Sequence, residues 1–162
     1  MKETLEIAAI VLAAGQSKRM GLANKLLMEI GGIPMARRVV SAIQASGVGK
    51  VVVVTGFESD RVEQCLIGYD IEIVWNENYE EGMGSSLAMG ARALANKRFD
   101  GILVCLGDLP YLKADVINDV TRAFGEACGD NIVIPCFGGK RGHPVVFPFR
   151  YREDLEMSSG DA

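Results

Sequence analysis

Between residues 12 and 27 the chain reads Leu12-Ala13-Ala14-Gly15-Gln16-Ser17-Lys18-Arg19-Met20-Gly21, then, after two apolar residues, Asn24-Lys25-Leu26-Leu27. Small residues let a backbone come close to a ligand, and exposed N–H groups in such a turn favour anions. Ser17 adds a hydroxyl, while Lys18, Arg19 and Lys25 bring positive charge to the same place. The combination reads as a phosphate cradle. An ordinary strand-to-helix loop with surface cations has the same composition, and the segment matches neither the G-x-x-x-x-G-K-[ST] nor the G-x-G-x-x-G pattern.

Asp108 is the most informative acid, because Gly107-Asp108-Leu109-Pro110 closes an apolar run. A carboxylate facing a triphosphate would hold Mg²⁺, which binds one or two carboxylates together with phosphate oxygens. Its other reading is a helix cap or an Asx turn before the next helix. His143, the only histidine, precedes Pro144 and suits either a general base or a hydrogen-bonding positioner. Asp161, in Ser158-Ser159-Gly160-Asp161, carries no meaning alone beyond a frayed terminus.

The elements that must position these residues follow from periodicity. Residues 6–13, 50–55, 71–75 and 101–106 are short apolar runs expected to be strands, and 131–136 and 143–147 read as two more. Pro34 fits a first helical position, with Met35, Val39, Val40 and Ile43 on one face of a helix over 35–45. Further helices are expected over 58–67, from a Ser85-Ser86 cap to about residue 95, and over 113–127. Alternating strands and helices with short connections specify a single three-layer α/β domain over 1–162, with a mostly parallel sheet. Ligands of such sheets bind beyond the carboxyl ends of the strands. The loops after residues 13, 55, 75 and 106, with the loop 135–143, are therefore expected to gather on one edge.

Composition sets the outer limits. With 49% hydrophobic and 23% charged residues in 162, the chain has a globular balance. A net charge of −4 argues against a general nucleic-acid or anionic-membrane surface, so the cations of the opening loop favour a small anionic ligand. The acidic start is unlike a signal peptide, and a cytoplasmic location is expected. Cys65, Cys105, Cys128 and Cys136 are too scattered for zinc, and Cys105 and Cys136 read as small buried hydrophobes in strands.

Taken in order, residues 12–21, Asn24-Lys25-Leu26-Leu27, Gly82-Met83-Gly84-Ser85-Ser86-Leu87, Gly107-Asp108-Leu109-Pro110, Arg141-Gly142-His143-Pro144-Val145 and Ser159-Gly160-Asp161 form a set. That set resembles the MobA-like nucleotidyltransferases, and within them the molybdenum cofactor cytidylyltransferases. The resemblance implies a Rossmann-like nucleotidyltransferase fold, Mg²⁺ as cofactor, and transfer of CMP from CTP to the terminal phosphate of molybdopterin. Leu12, Ala13, Ala14 and Gly15 would hold base and phosphates, Arg19 the outer phosphates, and Lys25 the α-phosphate, with Lys25, Arg19 and Asp108 as the catalytic set. Thr55, Gly56, Asn76, Gly84 and Ser85 would line the nucleotide pocket. Asp108 and Asp161 would hold the metal. Arg141, Gly142, His143 and Pro144 would face molybdopterin, and a molybdoenzyme would receive the product.

Ala14 stands where guanylyltransferase relatives usually have glycine, which points to CTP. Asn24 replaces a usual proline. Family members continue beyond S-G-D, so part of the family's C-terminal region is expected to be missing here. The alternatives are another NTP, a sugar or alcohol phosphate acceptor, or a non-catalytic nucleotide-binding accessory module.

Overall fold

The structure, a computed structural model, describes residues 4–15, 24–109 and 111–160. Strand β1 (Ile7–Ala13) is buried along its whole length and forms the centre of a five-stranded sheet. Beside it lie β4 (Val51–Thr55) and β6 (Gly101–Leu106), both parallel to it. Strand β5 (Glu72–Trp75) extends the parallel set, and β9 (Val145–Pro148) closes the other side antiparallel, giving the order β5-β4-β1-β6-β9. Continuous apolar runs suit β1, β4 and β6, since each has neighbours on both sides and helices on both faces.

Side chains alternate between the two faces of the sheet. Ala9, Val11, Val51 and Val53 meet α1 (Met35–Ala45), α2 (Ser59–Cys65) and α4 (Ala114–Glu126), through Val39, Ile43, Val62, Ile117 and Phe124. Ala8, Ile10, Val52 and Val54 meet α3 (Met83–Ala93) and α5 (Arg152–Glu156), through Ala91, Leu94 and Leu155. The result is the expected three-layer α/β arrangement with a mostly parallel sheet. No helix among the described residues is long and apolar enough to cross a membrane.

A small hairpin of β2 (Glu29–Ile30) and β3 (Ile33–Pro34) leads into α1. Pro34 lies just outside α1 as its N-cap. Two other expectations are corrected. Residues 131–136 do not form a sheet strand; Val133 alone bridges Val146, and Pro135 has no N–H to continue a ladder. Cys136 and Phe137 instead form β7, paired with β8 (Lys140–Arg141) in an exposed ribbon, so Cys136 is exposed while Cys105 is buried. Nor do Ser85 and Ser86 cap α3. That helix begins at Met83 after Gly82, whose φ of 107° turns the chain at no steric cost.

Candidate active site

Parallel pairing puts the ends of β1, β4, β5 and β6 on one edge, and antiparallel β9 begins there. Lys25 opens a short 3-10 turn, Lys25–Leu27, whose start is fixed by buried Asn24. The Asn24 Oδ1 accepts from the Leu26 N–H at 3.0 Å, and its Nδ2 donates to the Phe57 carbonyl at 3.5 Å. Asn24 thus gives the turn a hydrogen-bonded anchor of its own. Leu26 is buried beneath, so the turn is held to the sheet and Lys25 stands at its surface. The Lys25 Nζ lies 3.4 Å from the Asp108 carboxylate, both side chains being partly exposed. Asp108 follows β6 through Gly107, whose N–H donates to the Leu12 carbonyl at 2.9 Å. A Cβ at Gly107 would come within 3.0 Å of that oxygen.

The next part of the edge is built from β4 and β5. Asn76 is buried and donates from its N–H to the Thr55 carbonyl at 2.8 Å. Its Nδ2 donates to the hydroxyls of Ser85 (2.9 Å) and Ser86 (3.0 Å), while its Oδ1 accepts from the Asn78 N–H. One amide therefore fixes the start of α3 against the end of β5. Gly56 is buried between Tyr79 and Ala14, where a Cβ would come 2.5 Å from the Tyr79 side chain and 2.9 Å from the Ala14 methyl. The Phe57 N–H reaches the Ala14 carbonyl, and the rings of Phe57 and Tyr79 are 6.3 Å apart. Thr55 Oγ1 is buried with no hydrogen-bond partner among the described residues.

Gly84 receives the end of the described chain. Its N–H donates to the Gly160 carbonyl at 2.6 Å, and a Cβ there would lie 2.5–2.7 Å from Ser159 backbone atoms. Helix α5 leads the chain to this point, tied to α3 by Arg152, which donates to the Ala91 carbonyl at 3.3 Å and pairs with Glu156 at 2.7 Å. Arg92 and Arg152 both reach Glu156 and hold its carboxyl below the usual range, through hydrogen bonds first and charge second.

Leu12, Ala13, Ala14, Gly15, Lys25, Thr55, Gly56, Asn76, Gly84, Ser85 and Asp108 thus all belong to one sheet edge. On its far side lie exposed Arg141, then Gly142, His143 and buried Pro144, with His143 Nδ1 buried and without a hydrogen-bond partner among the described residues. Ser17, Lys18, Arg19, Gly21, Pro110 and Asp161 lie outside the described residues. Sequence reasoning overlooked Asn24 and Tyr79 as structural supports, and gave Ser86 a capping role where it accepts from the Asn76 amide instead. An amide directly before a helical turn was the available signal for Asn24.

Cys105, on β6 three residues before Asp108, is fully buried, and its thiol is pushed up to about 12, by burial first and the Asp108 charge second. The folded chain keeps that proton while an unfolded one loses it near pH 9. The contribution is therefore intact below pH 9 and falls by about 1.4 kcal/mol per pH unit above it, until the folded group also ionises. Urea unfolding of the parent chain and Cys105→Ala should show the parent's advantage shrinking from pH 8 to pH 10. A constant difference would contradict a buried neutral thiol.

Mostly parallel sheets that gather a cation, a carboxylate and close-packed glycines at the carboxyl ends of their strands define a class of α/β nucleotide-handling domains. Within that class the chain belongs to the MobA-like NTP transferase domain family, whose profile matches residues 9–162. It is 31% identical over 129 residues to the bifunctional protein GlmU of Agrobacterium fabrum, an alignment covering 78% of this chain and 28% of that protein. The chain therefore spans less than a third of that curated relative. A nucleotidyl transferase from Methanothermobacter superimposes with a TM-score of 0.74 at 25% identity, over 96% of this chain and 78% of that one. Rv0371c from Mycobacterium tuberculosis gives a TM-score of 0.80 at 23% identity over 95% and 77%. The same mycobacterial protein in complex with manganese gives 0.75 at 23% identity over 96% and 78%.

Proposed function

We propose that this nucleotidyltransferase domain moves CMP from CTP to the terminal phosphate of molybdopterin, with Mg²⁺ as its metal. The observation that carries the reading is the Lys25–Asp108 pair, a cation and a carboxylate 3.4 Å apart at the strand ends. An acceptor phosphate oxygen bonds to the α-phosphorus, the bond from that phosphorus to the bridging oxygen breaks, and its electron pair leaves with pyrophosphate. A phosphate monoester is already ionised near neutral pH, so the reaction calls for no strong general base. Lys25 neutralises charge on the α-phosphoryl oxygens, and Arg19 serves the outer phosphates.

The donor set fits a Mg²⁺ ion held mainly by substrate phosphates. Asp108 is one accessible carboxylate, Asp161 is proposed as the second, and no cluster of three or more His, Cys, Asp or Glu side chains occurs among the described residues. When bound, such an ion neutralises phosphate charge and polarises the transferred group. A mycobacterial protein of the same fold crystallises in complex with manganese, which supports a divalent ion as the metal. Ala14, packed beside Gly56, supports cytosine as the base through the resemblance noted above.

The test is pyrophosphate release from each NTP with Mg²⁺ and molybdopterin. CTP is expected to react at least tenfold faster than GTP, about the least that one well-placed pocket contact supplies. Equal rates would overturn the choice of base. Release with a sugar phosphate in place of molybdopterin would move the acceptor, and CTP binding without release would make the domain an accessory module serving a molybdoenzyme.

A further inference from the structure

Strand β5 ends the sheet, and no strand among the described residues pairs with its outer side. The Asn76 N–H donates to the Thr55 carbonyl, so Val74 and Glu72, at the period of a strand, also turn their backbone toward β4. The N–H and C=O groups of Ile73 and Trp75 therefore point outward. So does the Ile71 carbonyl, while the Ile71 N–H is taken by the Tyr69 carbonyl at 3.1 Å. Proteins usually blunt such an edge with lysine, proline or a bulge. Strand β5 has none of these: it pairs with β4 in unbroken register, and its one charge, Glu72, is drawn back to Lys50 at 2.8 Å.

Ile71, Ile73 and Trp75 alternate onto the face that α2 covers, where Ile71 joins the core, whereas Val74 packs on the other face. Trp75 is 55% exposed, and Ile67, just after α2, is 75% exposed. A cleft of about 670 Å³ lies on this face, lined by Ile67, Tyr69, Ile71 and Ile73 together with the carboxylates of Asp60 and Glu63.

We propose that β5 joins two copies of this chain, pairing antiparallel with itself across a twofold axis at Ile73. Such an interface is isologous, so the strand must complement itself. With the axis at Ile73 it does. Ile73 exchanges two hydrogen bonds with its counterpart, and each Trp75 N–H donates to the Ile71 carbonyl opposite. Centring the axis on Glu72 would set two glutamates directly opposite, and centring it on Val74 would set Ile71 against Glu77. Opposite residues of a ladder share a face, so Trp75 of the second copy lies against Ile71 at the cleft. Asp60 and Glu63 there supply acceptors for the indole N–H. Two tryptophans bury about 150–250 Å² each, and with so short a ladder the contact stays below about 1,200 Å², the range of transient pairs. Association is therefore weak and reversible, with half the chains paired at roughly 10–100 μM. The two active edges then point in opposite directions, and the inference stands independently of the nucleotidyl-transfer reading.

Trp75 is the only tryptophan, so its emission reports its own burial. Sedimentation between about 1 and 500 μM should carry the parent from 17.4 kDa toward twice that mass, with a blue shift of the emission over the same range. Ile73→Lys sets two ammonium groups across the axis and Ile73→Glu two carboxylates, and each should weaken association at least tenfold. A one-to-one mixture of these two variants sets opposite charges face to face and should associate more than either alone. Trp75→Thr changes an exposed position to another strand-forming residue, so it probes the contact in a chain that folds as the parent does; at least a tenfold loss is expected there too. A parent that stays monomeric, or a dimer that forms without the emission shift, would overturn the proposal. So would a dimer that both Ile73→Lys and Trp75→Thr retain, or a mixture no more associated than its components.

Discussion

Asp108→Asn is expected to lower pyrophosphate release by roughly a hundred- to a thousandfold, the scale on which single electrostatic groups act at transferring centres. The substitution keeps shape and hydrogen-bonding capacity and removes one negative charge from the strand end. If Asp108 holds the metal, the variant should also need far more Mg²⁺ to reach its remaining rate. A purely structural partnership with Lys25 predicts something else. Both side chains are more than a third exposed, and an exposed ion pair contributes at most about 1 kcal/mol. The thermal midpoint should therefore move by only about 2–4 °C. A variant that unfolds near the parent's midpoint but has lost turnover places Asp108 in the chemistry. Wild-type turnover at wild-type Mg²⁺ would remove it.

Much of this architecture is legible in the sequence because its strands are buried on both faces. Runs such as 7–13 and 51–55 have no polar face to present, and only the middle of a covered parallel sheet accepts them. Helix α1 is legible for a related reason: Met35, Val39, Val40 and Ile43 repeat at helical spacing, and all four are buried. The segment 131–136 has the same apolar look, but its place beside β6 is taken by β9. Val133 bridges the outside of β9, and the chain then leaves the sheet as the exposed ribbon. Apolarity reports burial on one side or both; it does not say which of two neighbouring runs wins the hydrogen-bonding partner.

The site was legible as a set of loops after strands, since parallel topology sends every such loop to one edge. Its supports were not. Ser85 and Ser86 have the composition of a helix cap, yet the helix starts two residues earlier and the two hydroxyls take the amide of Asn76. Gly84 looked like one glycine of a motif. Nothing local shows that residues 159 and 160 must pass within contact distance of it, because that contact spans some 75 positions of chain.

That contact makes Gly84→Ala the more discriminating substitution. On helix propensity alone, alanine inside α3 should stabilise the chain by about 1 kcal/mol. Here, however, the new methyl would lie 2.5–2.7 Å from Ser159 backbone atoms, which cannot rotate away as a side chain could. Overpacking of this kind costs about 1–3 kcal/mol, and the Gly84–Gly160 hydrogen bond is lost as the two segments part. The net effect is expected to be destabilising, with a thermal midpoint lower by several degrees and faster proteolysis after Met157. Gly125→Ala in α4 is the control, since a Cβ there meets nothing within 4 Å; that variant should gain what propensity offers. If Asp161 serves the metal as proposed, displacing the residues before it should also cut turnover at least tenfold, on the scale of losing one support of a metal site. A Gly84→Ala chain as stable and active as its Gly125→Ala counterpart would show that the segment 158–160 has no role in forming the site.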